Sequence, residues 1–321
     1  MYEGIGGYFE LELPDYGGFL HDDGVLLNSG RNALEFVLRS LPGVRHLWIP
    51  YYSCEVIQEP IKKLELAFSL YRIDTRLEIL DSIDLKDGDY LLYTNYFGIK
   101  DRYVQQLAAR FGNRLIVDNA QAWYADPVPG VSTIYSPRKF VGIPDGGIAY
   151  CSSGIDIEEF EKDHSYDRCS HLLKRIDLGP SAGYRDFREN SEALINQPIQ
   201  RMSQLTERML RAIDFEAIKQ KRRKNFLCLD ERLKKDNLLS FLDLSSFGSP
   251  MIYPFLTKNN SLKERLIKNN VFVATYWPSV LKWDITSAWE YRLAQDLVCL
   301  PVDQRYGSLE MEEMVDFIIK G

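Results

Sequence analysis

Residues 115–122 read LIVDNAQA, an apolar run that stops at a carboxylate. A short apolar run of this kind predicts a strand buried on both faces of a parallel sheet. Asp118 then lies at the carboxyl end of the strand, where the ligands of such sheets gather. The segment alone leaves four roles open for Asp118: a turn cap, a Mg²⁺ ligand, a ribose-binding acid or the partner of a pyridine nitrogen. The absence of a preceding GxGxxG disfavours the ribose role.

Other apolar runs on both sides of this segment alternate with amphipathic stretches. Apolar residues at helical spacing predict helices over Asn32–Leu41 and Arg102–Phe111. The alternation predicts an α/β domain in which helices cover a mainly parallel sheet. The expected strands are HLWIP (46–50), ELAFSLYRID (65–74), DYLLYTN (89–95), RLIVDN (114–119), VSTIY (131–135) and GIAYC (147–151).

The C-terminal half departs from this alternation. The polar stretch 177–198 predicts an excursion over the surface, and 202–233, which has no proline or glycine, predicts one long helix. The predicted divisions are a large domain (1–201), a connecting helix (202–236) and a small C-terminal α+β domain (237–321). In this C-terminal domain we expect strands MIYPFL (251–256) and VFVATY (271–276) and helices over 287–297 and 308–320.

Composition limits the classes of protein to consider. The chain has 321 residues, 45% of them hydrophobic, and a formal net charge of -7, which lacks the basic footprint of a nucleic-acid binder. The basic residues of 219–224 predict a solvated helix face. Five cysteines without a CxxC pair and four scattered histidines predict reduced thiols and no metal site. With no membrane span or signal segment, we expect a cytoplasmic protein that binds neither nucleic acid nor membrane.

A second segment belongs at the same edge of the sheet as Asp118. Residues 27–34, LNSGRNAL, form a polar turn that runs into a helix, and Asn28 or Ser29 can cap that helix. Free backbone N–H groups and the helix dipole make such a turn an anion site, although an ordinary capped helix start looks the same. The guanidinium of Arg31 favours a phosphate there.

A third segment carries a lysine and a serine three positions apart. Residues 132–140 read STIYSPRKF and are followed by PDGG at 144–147, whose glycines permit a close backbone approach. Isolated lysines are usually surface residues. Here Ser136 can donate to a phosphate while the Lys139 amine reaches a nearby aldehyde carbon.

Together the three segments resemble the fold-type-I pyridoxal-phosphate (PLP) enzymes, most closely the sugar-nucleotide aminotransferases of the DegT or StrS type. That family has an S-G-T-A-A-L turn, which SGRNAL at 29–34 resembles. It has D-A-A-Q at a strand end, matched by DNAQ at 118–121, and then a lysine followed by G-D-G-G, matched by Lys139 and PDGG. The resemblance implies the aspartate-aminotransferase-like fold with PLP as cofactor.

The resemblance also implies a role for each matched residue. Lys139 holds PLP as a Schiff base, the internal aldimine, and then moves a proton between substrate and cofactor. Asp118 pairs with the pyridinium nitrogen so that the ring accepts electrons, and Gln121 contacts the 3-oxygen side of the ring. The implied ligands of the phosphate are Gly30, Arg31, Asn32 and Ser136.

Four positions depart from the family pattern. Arg31 stands in place of a threonine, and the family's serine five residues before the lysine is absent. Cys54 stands where the family has the aromatic residue that stacks on PLP, so stacking is weaker or comes from a neighbour such as Tyr52 or Tyr96. The trans-subunit asparagine of N-Y-R-M is missing from IQRM at 199–202.

The resemblance implies a PLP-dependent aminotransferase of polysaccharide biosynthesis, with glutamate as amino donor and a keto-sugar nucleotide as acceptor. It implies a homodimer, because sites of this fold usually lie at a subunit interface. The alternatives are another PLP reaction, such as that of a lyase or decarboxylase, and a non-catalytic relative with the same fold. A nucleotide-binding protein without PLP is disfavoured by the missing glycine fingerprint.

Overall fold

The secondary structure follows the alternation expected from the sequence. This computed structural model describes residues 5–152, 154–239, 248–259, 261–282 and 288–320. The strands are β1 (Val25–Leu27), β2 (His46–Pro50), β3 (Ala67–Tyr71), β4 (Asp89–Thr94), β5 (Leu115–Asp118), β6 (Ser132–Tyr135), β7 (Gly147–Tyr150), β8 (Ile252–Leu256) and β9 (Leu297–Pro301). The α-helices are α1 (Gly30–Ser40), α2 (Gln58–Lys63), α3 (Asp101–Phe111), α4 (Ser170–Leu178), α5 (Tyr184–Ala193), α6 (Gln204–Arg211), α7 (Phe215–Leu233), α8 (Leu262–Lys268), α9 (Trp289–Asp296) and α10 (Ser308–Ile319).

Seven strands form one sheet in the order β1-β7-β6-β5-β4-β2-β3. Strands β2 to β6 are parallel, and β7 is antiparallel to both β6 and β1. Thr94 of β4 lies beside Asp118 of β5, so these strands end together. The predicted α/β class and mainly parallel sheet are confirmed. Strand β1, with three residues, is too short to produce a sequence pattern.

Both faces of the sheet are buried, because successive side chains of a strand point to opposite sides. In β4, Tyr90 and Leu92 belong to one apolar core, which also contains the buried face of α1. Leu91 and Tyr93 belong to the other core, which continues into β8 and β9. Since that core crosses the expected boundary, the division of the chain into domains stays a prediction.

The single helix expected over 202–233 is wrong. The chain forms α6 and α7 instead, separated at residues 212–214. The side chain of Asp214 accepts the N–H of Ala217 at 2.9 Å, which caps the start of α7. An aspartate cap can begin a new helix without proline or glycine, so the absence of these two residues did not reveal the break.

The C-terminal elements match the sequence in part. Strand β8 pairs antiparallel with β9, and the helices expected at 287–297 and 308–320 appear as α9 and α10 over their described residues. The strand expected at 271–276 is wrong, because this segment makes only one bridge, from Ala274 to Cys299. Asn270 and Trp277 on either side of it have φ values of 61° and 58°, so the chain turns at both ends.

Two further expectations need correction. The excursion at 177–198 lies mostly at the surface but contains α5. The basic run 219–224 is not wholly solvated, because Arg222 is only 1% exposed. Within the described residues no helix is long and apolar enough to cross a membrane, and no cluster of three His, Cys, Asp or Glu side chains is arranged to hold a metal ion.

The glycines of PDGG bring β7 against the turn before α1. The N–H of Gly146 donates to the carbonyl of Asn28 at 2.6 Å, and its φ of 121° favours glycine. A Cβ added to Gly147 would lie 2.1 Å from the carbonyl oxygen of Ser29. The two backbones approach so closely that only glycine fits at position 147.

We therefore expect Gly147→Ala to lower the free energy of unfolding by about 3 kcal/mol, since the added methyl group displaces backbone rather than a flexible side chain. Urea unfolding followed by circular dichroism measures the change. Gly154→Ala is the matched control, because a Cβ there meets nothing within 4 Å. Equal urea midpoints for the two variants would show that the close approach places no constraint on the fold.

Candidate active site

The carboxylate of Asp118 lies at the carboxyl end of β5 and is 7% exposed. Its Oδ1 accepts the N–H of Ala120 at 2.9 Å, which is the capping contact that the sequence allowed. Burial raises the pKa of Asp118, and the Lys139 ammonium, the Ala120 N–H and the Thr94 hydroxyl oppose that rise. Asp118 is thus both a turn cap and a buried acid whose charge a cationic ligand would stabilise.

Gln121 lies in the turn after β5 and is fully buried. Its Oε1 accepts the N–H of Phe97 at 3.0 Å, which ties the loop after β4 to the loop after β5. The Nε2 amide is buried and has no acceptor among the described residues. An unpaired buried donor costs roughly 1–3 kcal/mol, so an acceptor oxygen supplied by a ligand would stabilise this site.

The first turn of α1 lies against the loop after β6. Ser29 caps the helix by accepting the N–H of Asn32 at 3.2 Å. A Cβ added to Gly30 would lie 3.5 Å from Cβ and 3.7 Å from Oγ of Ser136. The structure thus brings together Gly30 and Ser136, two of the predicted phosphate ligands, at a helix start whose N–H groups have no acceptor within the helix.

The side chains of the other two predicted phosphate ligands are already engaged. Both amide hydrogens of Asn32 are used, because Nδ2 donates to Oδ1 of Asn28 at 2.6 Å and to the carbonyl of Pro198 at 2.8 Å. The Nε of Arg31 lies 3.0 Å from Oε2 of Glu59 in an ion pair. The residue of this turn that approaches Ser136 closely is Gly30.

Lys139 lies in the short 3-10 turn that follows Ser136, and its side chain is exposed. The charge of its amine acts on the buried carboxylate of Asp118. Lys139 and Asp118 thus follow neighbouring strands at the same edge of the sheet, close enough for their charges to interact.

Phe140 anchors the turn of Lys139 to distant parts of the chain. Gln304 donates from Nε2 to the Phe140 carbonyl at 2.8 Å, and the Arg222 guanidinium lies 4.8 Å from the centre of the Phe140 ring. Arg222 in turn donates to Oε1 of Gln304 at 2.9 Å and to the carbonyl of Met251 at 2.7 Å. Sequence reasoning missed both anchors, because Arg222 lies within a run of surface lysines and arginines.

The aromatic residues expected to stack on a ligand lie in the core. Tyr52 and Tyr96 have no exposed surface, and their rings pack on each other at 5.8 Å with an angle of 24°. The hydroxyl of Tyr96 donates to the carbonyl of Tyr52 at 2.9 Å, and Trp277 packs edge-on to Tyr52. Neither tyrosine therefore presents a ring face to solvent, whereas Cys54 is partly exposed.

No protein-family model and no curated protein matches this sequence. Solved structures match the chain in three dimensions, each over 92% of its length. One is the sugar aminotransferase CalS13 from Micromonospora echinospora, with 15% identity, 87% of that chain covered and a TM-score of 0.62. Others are a DegT/DnrJ/EryC1/StrS aminotransferase from Brucella abortus (14%, 84%, 0.61) and Spr1654 from Streptococcus pneumoniae in its PLP form (15%, 87%, 0.62).

The chain has the fold of these aminotransferases. This confirms the aspartate-aminotransferase-like fold and the structural resemblance that three short motifs indicated. Identities of 14–15% establish the fold alone, and the activity has to be argued from the residues of the site.

We expect Gln304→Ala to lower the free energy of unfolding by about 2 kcal/mol, because the Phe140 carbonyl and one Arg222 nitrogen lose their partner. Gln295→Ala is a control for the loss of a glutamine side chain, since Gln295 is exposed on α9. Urea unfolding of both variants measures the difference. A Gln304→Ala variant as stable as Gln295→Ala would show that this hydrogen bond does not hold the turn.

Proposed function

We propose that this protein is a PLP-dependent aminotransferase that uses Lys139 to hold the cofactor. The observation that carries the proposal is the electrostatic interaction between an exposed lysine amine and the buried carboxylate of Asp118, at one edge of the sheet, on a fold of known aminotransferases. Spr1654, which has this fold, has been solved in its PLP form.

The described residues suit each polar group of PLP. Asp118 offers a buried anion for the ring nitrogen, and the unpaired Nε2 of Gln121 offers a donor for the 3-oxygen. The first turn of α1 and the Ser136 hydroxyl offer donors for the phosphate. Lys139 offers the amine for the aldehyde. Bound PLP supplies an electron sink for the carbon that gains or loses the amino group.

Each side chain of the proposed site has its own role. Asp118 keeps a proton on the ring nitrogen, since a buried carboxylate gains most from a cation beside it. Lys139, when its amine is free, moves a proton at the reacting carbon. The buried Gln121 amide and the Ser136 hydroxyl orient the bound molecule. The hydrogen bond from Gln304 to Phe140 holds the turn that carries Lys139.

We propose a keto-sugar nucleotide as acceptor and glutamate as donor, in the biosynthesis of a polysaccharide in the cytoplasm. CalS13, a protein of the same fold, is described as a sugar aminotransferase, which supports a sugar as acceptor. The donor and the nucleotide rest on the motif resemblance. Diverged positions such as Cys54 favour a catalytically altered relative as the second candidate.

The proposal is tested by the visible absorption of purified protein incubated with PLP. We expect a band from PLP bound to Lys139, fixation of PLP on that residue by borohydride, and loss of both in Lys139→Ala. Lys235→Ala is the control, because Lys235 is an exposed lysine outside the proposed site. Fixation of PLP elsewhere in the chain would contradict the assignment of Lys139.

Addition of glutamate then tests the reaction. An aminotransferase releases 2-oxoglutarate in an amount equal to the PLP converted to its amine form. Protein that binds PLP at Lys139 but reacts with none of the amino donors supplied would support the catalytically altered relative.

We also propose that two copies of the chain form a homodimer. The exposed apolar side chains Leu173, Ile176, Tyr184 and Phe187 lie on α4 and α5, and we call them the α4/α5 surface. A surface of this kind on packed helices marks a protein contact. We propose that a second copy of this chain covers the α4/α5 surface, because sites of this fold usually lie at a subunit interface.

We expect Ile176→Asp to shift the protein from the mass of two chains to the mass of one, since a carboxylate at the α4/α5 surface would lose its water on association. Size-exclusion chromatography with light scattering measures the mass. Leu309→Asp is the control, because Leu309 is as exposed as Ile176 but lies on α10. A dimer unaffected by Ile176→Asp would place the interface elsewhere.

A further inference from the structure

Arg138 lies between Ser136 and Lys139 in the turn after β6. Arg138 is partly buried; its Nε is inaccessible to solvent and has no acceptor, and Nη2 reaches only the Ser191 hydroxyl, at 3.4 Å. No ion pair of Arg138 with a carboxylate is found in the described part of the chain. A guanidinium nitrogen that loses water without gaining an acceptor leaves part of the charge uncompensated.

Two neighbouring guanidinium groups add to the positive charge around Arg138. Burial lowers the pKa of Arg138 to about 10, the charge of Asp145 opposes this, and the charges of Arg31 and Arg168 add to it. Arg31 and Arg168 each have a carboxylate partner, Glu59 at 3.0 Å and Asp163 at 2.6 Å. Of these three guanidinium groups, Arg138 is the one without an acid partner among the described residues.

The nearby acid does not neutralise Arg138 by direct contact. One oxygen of Asp145, Oδ2, accepts the N–H of Ser203 at 3.0 Å at the start of α6, and the other, Oδ1, has no hydrogen-bond partner among the described residues. Burial also raises the pKa of Asp145 to about 6. Arg138 therefore feels the charge of Asp145 but makes no direct ion pair with it.

The position of Arg138 indicates which kind of anion would bind beside it. Two residues before it, Ser136 lies against Gly30 at the start of α1, and Arg31 in the same helical turn is close enough for its charge to act on Arg138. A phosphate at this helix start would meet free N–H groups, the helix dipole and the Ser136 hydroxyl. Asn32 uses both amide hydrogens elsewhere and Arg31 pairs with Glu59, so Arg138 is the nearby guanidinium whose charge has no acid partner among the described residues.

We infer that Arg138 binds the phosphate of PLP. The inference rests on the proposed function and deepens it, because it completes the phosphate site within one chain, without an asparagine from a partner subunit. Arginine suits this position, since its planar fork can donate two hydrogen bonds to one phosphate.

The test compares PLP with pyridoxal, which has the same ring and aldehyde but no phosphate. Affinities of the purified protein for both compounds are measured by absorbance titration, and their ratio reports the phosphate alone. We expect Arg138→Gln to lower the affinity for PLP by about tenfold or more and to leave that for pyridoxal unchanged. Arg232→Gln, an exposed arginine on α7, is the control and should keep the wild-type ratio.

Arg138→Lys provides a second measurement, because it keeps the positive charge and loses only the fork. A smaller fall in the same ratio is expected, and it supports the inference even where Arg138→Gln does not fold. A ratio unchanged in the substituted proteins overturns the inference but leaves PLP binding at Lys139 intact. Wild-type protein that binds no PLP overturns the proposed function and this inference together.

Discussion

The close contact between the backbone of Gly147 and the carbonyl of Ser29 positions the parts of the candidate site relative to one another. The first residue of β7 packs directly against the turn before α1, and the hydrogen bond from Gly146 to Asn28 holds the strand and the turn together. Strand β7 pairs with β6, whose following turn carries Ser136 and Lys139. The start of α1 and the lysine turn therefore have a common geometric reference.

Charge is distributed unevenly along this edge of the sheet. At one end Asp118 is a buried acid that caps the turn after β5. At the other end Arg138 is a partly buried guanidinium without an acid partner among the described residues. Lys139 directly follows Arg138 in the chain, and the charge of its amine acts on Asp118. A molecule that is cationic at one end and anionic at the other matches this order, and PLP, with its ring nitrogen and its phosphate, has that polarity.

The turn of Lys139 also depends on residues far away in the chain. Arg222 from α7 and Gln304 after β9 meet at Phe140, next to the lysine. The buried guanidinium finds its acceptors in carbonyl groups and in the Gln304 amide, so its burial is compensated by hydrogen bonds rather than by an acid. Through this contact the C-terminal residues restrain the loop at which the proposed chemistry occurs.

The sequence by itself determined the sheet, the order of its motifs and the edge at which they meet, because apolar runs, capping residues and glycines act through local geometry. It predicted that Lys139, Asp118, Gln121, Gly30 and Ser136 belong to one site, and the structure places Gly30 beside Ser136 and the Lys139 charge near Asp118. It also led to an unbroken helix over 202–233 and a strand at 271–276, which a side-chain cap and two left-handed residues prevent.

Only the tertiary structure decided which polar groups remain free. Asn32 and Arg31 have the right chemistry for a phosphate, but Asn28, Pro198 and Glu59 engage their side chains through folding. Arg138 and Arg222 are both arginines beside other basic residues in the sequence, yet Arg138 reaches one hydroxyl acceptor and Arg222 has several acceptors. Whether a buried group is satisfied depends on partners distant in the chain, and no local pattern encodes those partners.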